Sequence, residues 1–274
     1  MGEAFFFLLA PFTTCVLMVL MFGYLGIHVL KREIIFIDIA LAQIAAVGSA
    51  LAFVLFHADE HGLLAHGVAF LFTILAAMFY TRTGKHISQI PQEAIIGVSY
   101  AVAAAAALFM LALAAGGDVH LEHMLTGSIL WADWTDILIC AIVFGVIGAF
   151  HYVYRFRFIE CSDSGTSIKH GAWWDFFFYI TMGVVITLSV RIAGVLVIFS
   201  LLVMPATFSA LFSESWKFRL WIAYAFGIAA SIGGLIFSYT FDFSSGPSVV
   251  TFLGFGLIIG SIIKWRNKGK SSSK

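Results

Sequence analysis

The chain has 274 residues, 61% of them hydrophobic and only 11% charged, with a mean hydropathy of +1.01. Soluble domains carry about 25% charged residues, so a water-soluble fold is excluded. Fifteen Lys and Arg balance fifteen Asp and Glu, which leaves no basic excess for nucleic acid, and none is expected as a partner.

Apolar runs of the roughly 20 residues that a bilayer demands place spans at 5–29, 34–56, 65–80, 94–115, 136–154, 174–190, 192–212, 218–240 and 247–263. The runs are continuously apolar rather than alternating, which predicts helices and not barrel strands. The expected fold class is an all-α integral membrane protein, a polytopic bundle of nine spans. Eight remain if the sixth and seventh, parted only by a turn around Arg191, form a re-entrant pair or one broken helix. Residues 1–263 make the transmembrane domain and 264–274 a short basic tail. The first run opens with Glu3 rather than a basic segment, so it is expected to stay as a span and not be cleaved. Cys15, Cys140 and Cys161 form no C-x-x-C pair, which predicts neither a disulfide nor a structural zinc.

Sorting Lys and Arg into alternate connections puts Lys31, Arg32, Arg82, Lys85, Arg155, Arg157, Lys169, Lys217, Arg219 and the tail cations on one side, and Arg191 alone on the other. Positive charge is retained in the cytoplasm, which predicts the N-terminus outside and the C-terminus inside. The outward connections are acidic and carry histidines: His57, Asp59, Glu60, His61 and His66, then Asp118, His120, Glu122 and His123. Such a mouth would gather divalent cations, because carboxylate and imidazole are their ligands.

Ionisable groups inside a span are costly and call for a role or a partner. Asp38 lies one turn into the second span, where Lys31 or Arg32 could pair with it, and Gln43 lies five residues on, near mid-depth. Pro205 in SLLVMPATFSA frees the Leu201 carbonyl and allows a kink in the seventh span. Small residues four apart, Ala42, Ala46 and Ala50 or Gly256 and Gly260, predict tight helix packing or self-association. No G-x-x-x-x-G-K-[ST] phosphate loop occurs: Gly269-Lys270-Ser271 imitates its end, but position 264 is a lysine. G-x-S-x-G and H-E-x-x-H are missing as well, so no catalytic residue is expected, and any ATP must be bound and hydrolysed on another polypeptide.

Five segments carry a resemblance in the same order: GYLGIHVLKREIIFIDIALAQIAAVGSALAF, QEAIIGV at 92–98, LEHMLTGSIL at 121–130, RIAGVLVIFSLLVMPATFSAL at 191–211 and DFSSGPSVV at 242–250. They are similar to motifs of the ABC-3 family, the membrane permease subunits of bacterial zinc, manganese and iron ABC importers. The resemblance implies a permease dimer, cytoplasmic ABC ATPase subunits and an extracytoplasmic metal-binding protein, working by alternating access in the bacterial inner membrane. It makes the inward connections 81–92 and above all 155–173 the expected ATPase-docking surfaces. The family's G-D-A-L-S-H carries an aspartate and a histidine four apart in the second span; here those two positions hold Ile39 and Gln43, with Asp38 next to the first. The candidate metal-pathway residues are Asp38, Gln43, Glu122 and His123. The alternatives are a permease for another small cargo or a metal chelate, and an ion-coupled secondary transporter that would use Asp38, Glu93 or Asp175 as its coupling carboxylate.

Overall fold

The computed structural model describes residues 2–56, 62–86, 89–113, 129–164 and 171–271. Among the described residues ten α-helices run in chain order: α1 (Gly2–Lys31), α2 (Ile37–Phe56), α3 (Leu63–His86), α4 (Gln92–Leu113), α5 (Trp134–Val153), α6 (Arg155–Ser164), α7 (Gly171–Ala193), α8 (Val195–Phe212), α9 (Trp216–Phe241) and α10 (Ser245–Ser271). A 3-10 turn, Ile129–Trp131, precedes α5. All but α6 are long and apolar enough to cross a bilayer, which gives the nine expected spans among the described residues. In hydrocarbon a helix satisfies its own backbone, and its serine and threonine hydroxyls turn back to carbonyls three or four residues earlier, as Thr73 does to Ala69 and Thr187 to Gly183.

The third, sixth and ninth spans look short by hydropathy, but their helices continue through polar ends, α3 to His86 and α10 to Ser271. Between the sixth and seventh spans the break falls at Gly194, not at Arg191. Gly194 has φ 77°, a left-handed backbone that costs glycine nothing, while Arg191 stays within the last turn of α7. The result is two separate helices, each long enough to cross. Asp242 closes α9 in the αL conformation, and Pro247 follows in the first turn of α10, where its missing N–H would have lacked a partner anyway.

The chain forms two compact units. The first comprises residues 1–30, 126–144 and 192–274, and thus α1, the start of α5 and α8 to α10. Its helices close on one another through glycine. A side chain at Gly26 would strike the Leu202 carbonyl, and one at Gly256 or Gly260 would strike the ring of Phe226 or Phe208. Those two rings stack face to face, 3.9 Å apart. The pair Gly256 and Gly260 therefore makes slots for aromatic rings within the bundle. Pro205 lies inside an unbroken α8, its ring beside Gly227 of α9.

The second unit comprises residues 31–125 and 145–191. Here α2 packs on α3, with Gly48 against the backbone of Val68 and Ala69, and on α4, where Val47 meets Ala103 and Ala107. Thr73 of α3 fills the space that Gly183 leaves on α7.

Candidate functional site

α2 shows two different faces. Successive residues turn about 100° around a helix, so Ile39 and Gln43 stand about 40° apart while Asp38 and Gln43 stand about 140° apart. Burial follows this arithmetic: Ile39, Gln43, Ala46 and Ala50 make a half-buried stripe, whereas Asp38, Leu41, Ala45 and Gly48 are buried. The structure does not bring Asp38 and Gln43 together on one face. Glu122 and His123 lie outside the described residues, as do His57, Asp59, Glu60, His61, Asp118 and His120. Among the described residues no three His, Cys, Asp or Glu side chains cluster as a metal cage.

Asp38 does not pair with Lys31 or Arg32. A positive φ of 56° at Glu33 turns the chain between them, and both cations go to other partners. The Lys31 ammonium meets Asp163 at 3.0 Å. Arg32 donates from Nη1 to Asp175 at 2.7 Å and from Nε to the Ser162 hydroxyl at 2.9 Å, with its guanidinium 4.2 Å from the centre of the Phe178 ring. Asp38 instead has a carboxylate neighbour, Glu93 at the start of α4, whose Oε1 accepts the Phe36 amide at 3.1 Å.

The expected docking connection 155–173 contains a helix, α6, and Arg32 is what fastens it. Phe158, Cys161 and Ser162 form its buried face, while Phe156, Arg157 and Glu160 are exposed. Phe158 stacks on His151 with ring centres 4.0 Å apart and meets Trp174 edge-on. His151 is itself held by the Thr181 hydroxyl at 2.9 Å. Burial pushes the Cys161 thiol above its ordinary range, and the Asp175 carboxylate adds to the shift. A short helix that clamps one face inward and presents a bare phenylalanine among charges suits protein docking. The other segment expected to dock, 81–92, includes the end of α3 and Gln92, whose amide donates to the Tyr80 carbonyl at 3.2 Å and the Tyr179 hydroxyl at 2.7 Å.

At the far end of α7, Arg191 contacts His66 of α3. The His66 Nδ1 faces the Gly62 carbonyl at 2.8 Å, and a carbonyl only accepts, so Nδ1 carries the proton and Nε2 accepts from the guanidinium. That lone pair is the one a metal would need. A groove of about 600 Å³ between α2, α3 and α4, lined by Ile44, Phe72, Phe79, Val98 and Val102, has no charged group and suits an acyl chain rather than an ion.

Sequence reasoning overlooked the Arg32, Ser162 and Asp175 cluster, because its members lie 130 and 143 residues apart. The only signal was a lone acid, Asp175, at the start of an apolar helix.

The comparisons with known proteins follow the same lines. The manganese import system permease protein ScaB of Streptococcus gordonii is 25% identical over 90% of this chain and 87% of its own length. The manganese transport system membrane protein MntC of Halalkalibacterium halodurans is 22% identical over 87% of this chain and 80% of its own length. In structure the chain is similar to PsaBC from Streptococcus pneumoniae, solved in complex with Fab, with a TM-score of 0.75 at 22% identity over 93% of this chain and 90% of that one. Nine helices among the described residues that are long and apolar enough to cross a membrane, and a match to the ABC 3 transport family over residues 4–264, make this chain a multi-pass membrane protein that belongs to that family.

Proposed function

We propose that the chain is the membrane-spanning permease subunit of an ATP-driven importer that carries a divalent metal ion, manganese foremost, across a bacterial inner membrane. The observation that carries this reading is the family match over nearly the whole chain, joined to relatives named as manganese permeases. Two copies would form the pathway, an extracytoplasmic binding protein would deliver the ion, and ATP would be consumed by separate ATPase subunits. In this reading the N-terminus lies outside and the C-terminus inside, so that Lys31, Arg32 and α6 face the cytoplasm and α6 receives the ATPase. Asp38, Gln43, Glu122 and His123 are the proposed pathway residues.

A second reading has one specific observation in its favour: the stripe formed by Ile39, Gln43, Ala46 and Ala50 bears no ionised ligand. A chelated metal would need none there. Radiolabelled manganese uptake in cells expressing the permease with its ATPase and binding protein tests both readings. Saturable uptake that excess chelator suppresses supports the free ion; uptake that appears only with chelator supports the second reading, and none in either form defeats both.

A further inference from the structure

Asp38 and Glu93 leave three carboxylate oxygens without a partner at one helix end. Asp38 is 1% exposed in the first turn of α2, and neither of its oxygens accepts a hydrogen bond, although the amides of Asp38 and Ile39 lie close by. Glu93 reaches the same helix end from α4; its Oε1 takes the Phe36 amide at 3.1 Å, and its Oε2 is buried with no partner. The side-chain charge acting on Asp38 is that of Glu93, one anion upon another. The cations on the preceding turn are engaged elsewhere, Lys31 with Asp163 and Arg32 with Asp175.

Buried polar atoms are nearly always paired, so each exception needs an explanation. The start of a helix offers about half a positive charge, too little to balance two carboxylates. One shared proton would satisfy two of the three oxygens and leave the third orphaned. A divalent cation would satisfy all three and bring the local charge close to zero. Ligand sets of oxygen alone suit Mn²⁺, Mg²⁺ and Ca²⁺ rather than zinc.

We propose that Asp38 and Glu93 together hold one divalent cation of this oxygen-preferring class at the start of α2, with water completing its shell. Asp38 is the inner ligand, and the half-buried Glu93 is the side from which the ion arrives and leaves. The site stands apart from the stripe of Ile39 and Gln43, since it occupies the opposite, buried face of α2. It rests on the importer reading only for the choice of Mn²⁺ as cargo-like probe.

The test is Mn²⁺ titration of the purified permease with its ATPase, without nucleotide, the free ion being read by electron paramagnetic resonance. Asp38→Asn and Glu93→Gln should each weaken binding at least about tenfold, since even the loss of a partner that only orients a ligand costs that much. Glu214→Gln, at an exposed carboxylate, should bind as the wild type does. Wild-type affinity in both Asp38→Asn and Glu93→Gln, or no Mn²⁺ bound by the wild type, overturns the site. If Asp38→Asn does not fold, Glu93→Gln decides, because its amide oxygen still accepts from Phe36. ATP-driven uptake by the wild type reports on the importer reading separately, so either idea can fail alone.

Discussion

The packing of α8, α9 and α10 in the first unit and that of Arg32, α6 and α7 in the second solve the same problem by different physics. In the first, shape does the work: Phe208 and Phe226 stack and drop into the slots left by Gly260 and Gly256. In the second, a desolvated ion pair between Arg32 and Asp175 ties three chain segments, with the Ser162 hydroxyl and the Phe178 ring also against the guanidinium. Packing by shape tolerates no added atoms but is indifferent to charge; packing by charge tolerates rearrangement as long as the partners stay together. The difference teaches where movement is built in. A helix held by a polar hub and one stacked ring has fewer contacts to give up than rings interlocked with glycines.

The largest effect should come from breaking the hub. Arg32→Ala removes one side of the buried Arg32–Asp175 pair and should cost about 3–5 kcal/mol, read as a fall in thermal unfolding temperature. It should also release α6, which Cys161 reports. In the wild type this thiol is buried and its pKa raised, so little thiolate is present at neutral pH and maleimide labelling should be slow. Labelling of Cys161 should accelerate in Arg32→Ala and return toward the wild-type rate in Arg32→Lys; an unchanged rate would mean that Arg32 does not hold α6.

Next come the slots. Gly260→Leu or Gly256→Leu forces a side chain into a stacked ring and should destabilise by about 1–3 kcal/mol without altering Cys161 labelling. If labelling changes as much as in Arg32→Ala, the two regions are not distinct. A smaller loss, about 1 kcal/mol, is expected for Thr181→Val, which removes the hydroxyl that holds His151 and hence the ring beneath Phe158. The smallest belongs to Lys31→Met. Its pair with Asp163 is about a third exposed on each side, and such pairs contribute about 0–1 kcal/mol and fade with salt. Comparing Lys31→Met with Arg32→Ala in low and high salt sharpens the contrast between an exposed bridge and a buried one.

These contrasts were unevenly legible in the sequence. The spans were, because twenty apolar residues in a row leave a chain few options, and the boundaries from hydropathy fall within a few residues of most helices. Ends were harder: α3 runs on through Thr81 and Arg82 because a helix continues past the hydrocarbon wherever its side chains can reach water. The turn after α7 looked centred on Arg191, the charged residue, when backbone conformation rather than charge decides, and Gly194 is the residue free to adopt it. Arg32 and Asp38 looked like neighbours by number, and Glu33 in the left-handed region turns the chain between them. Gln43 could be placed at mid-depth from rise per residue alone, but its separation from Asp38 around the helix becomes meaningful only once the buried face is known. The pairing of Glu93 with the start of α2 depends on contact between helices more than fifty residues apart, which no local pattern encodes.

The claim on which the rest depends is that a separate ATPase drives metal through this chain. Its most direct measurement is manganese uptake into proteoliposomes holding the permease and its ATPase, with the binding protein outside and nucleotide enclosed within. The account predicts uptake with ATP and none with a non-hydrolysable analogue. Uptake that proceeds equally without ATP, or that follows an imposed proton gradient instead, would contradict it.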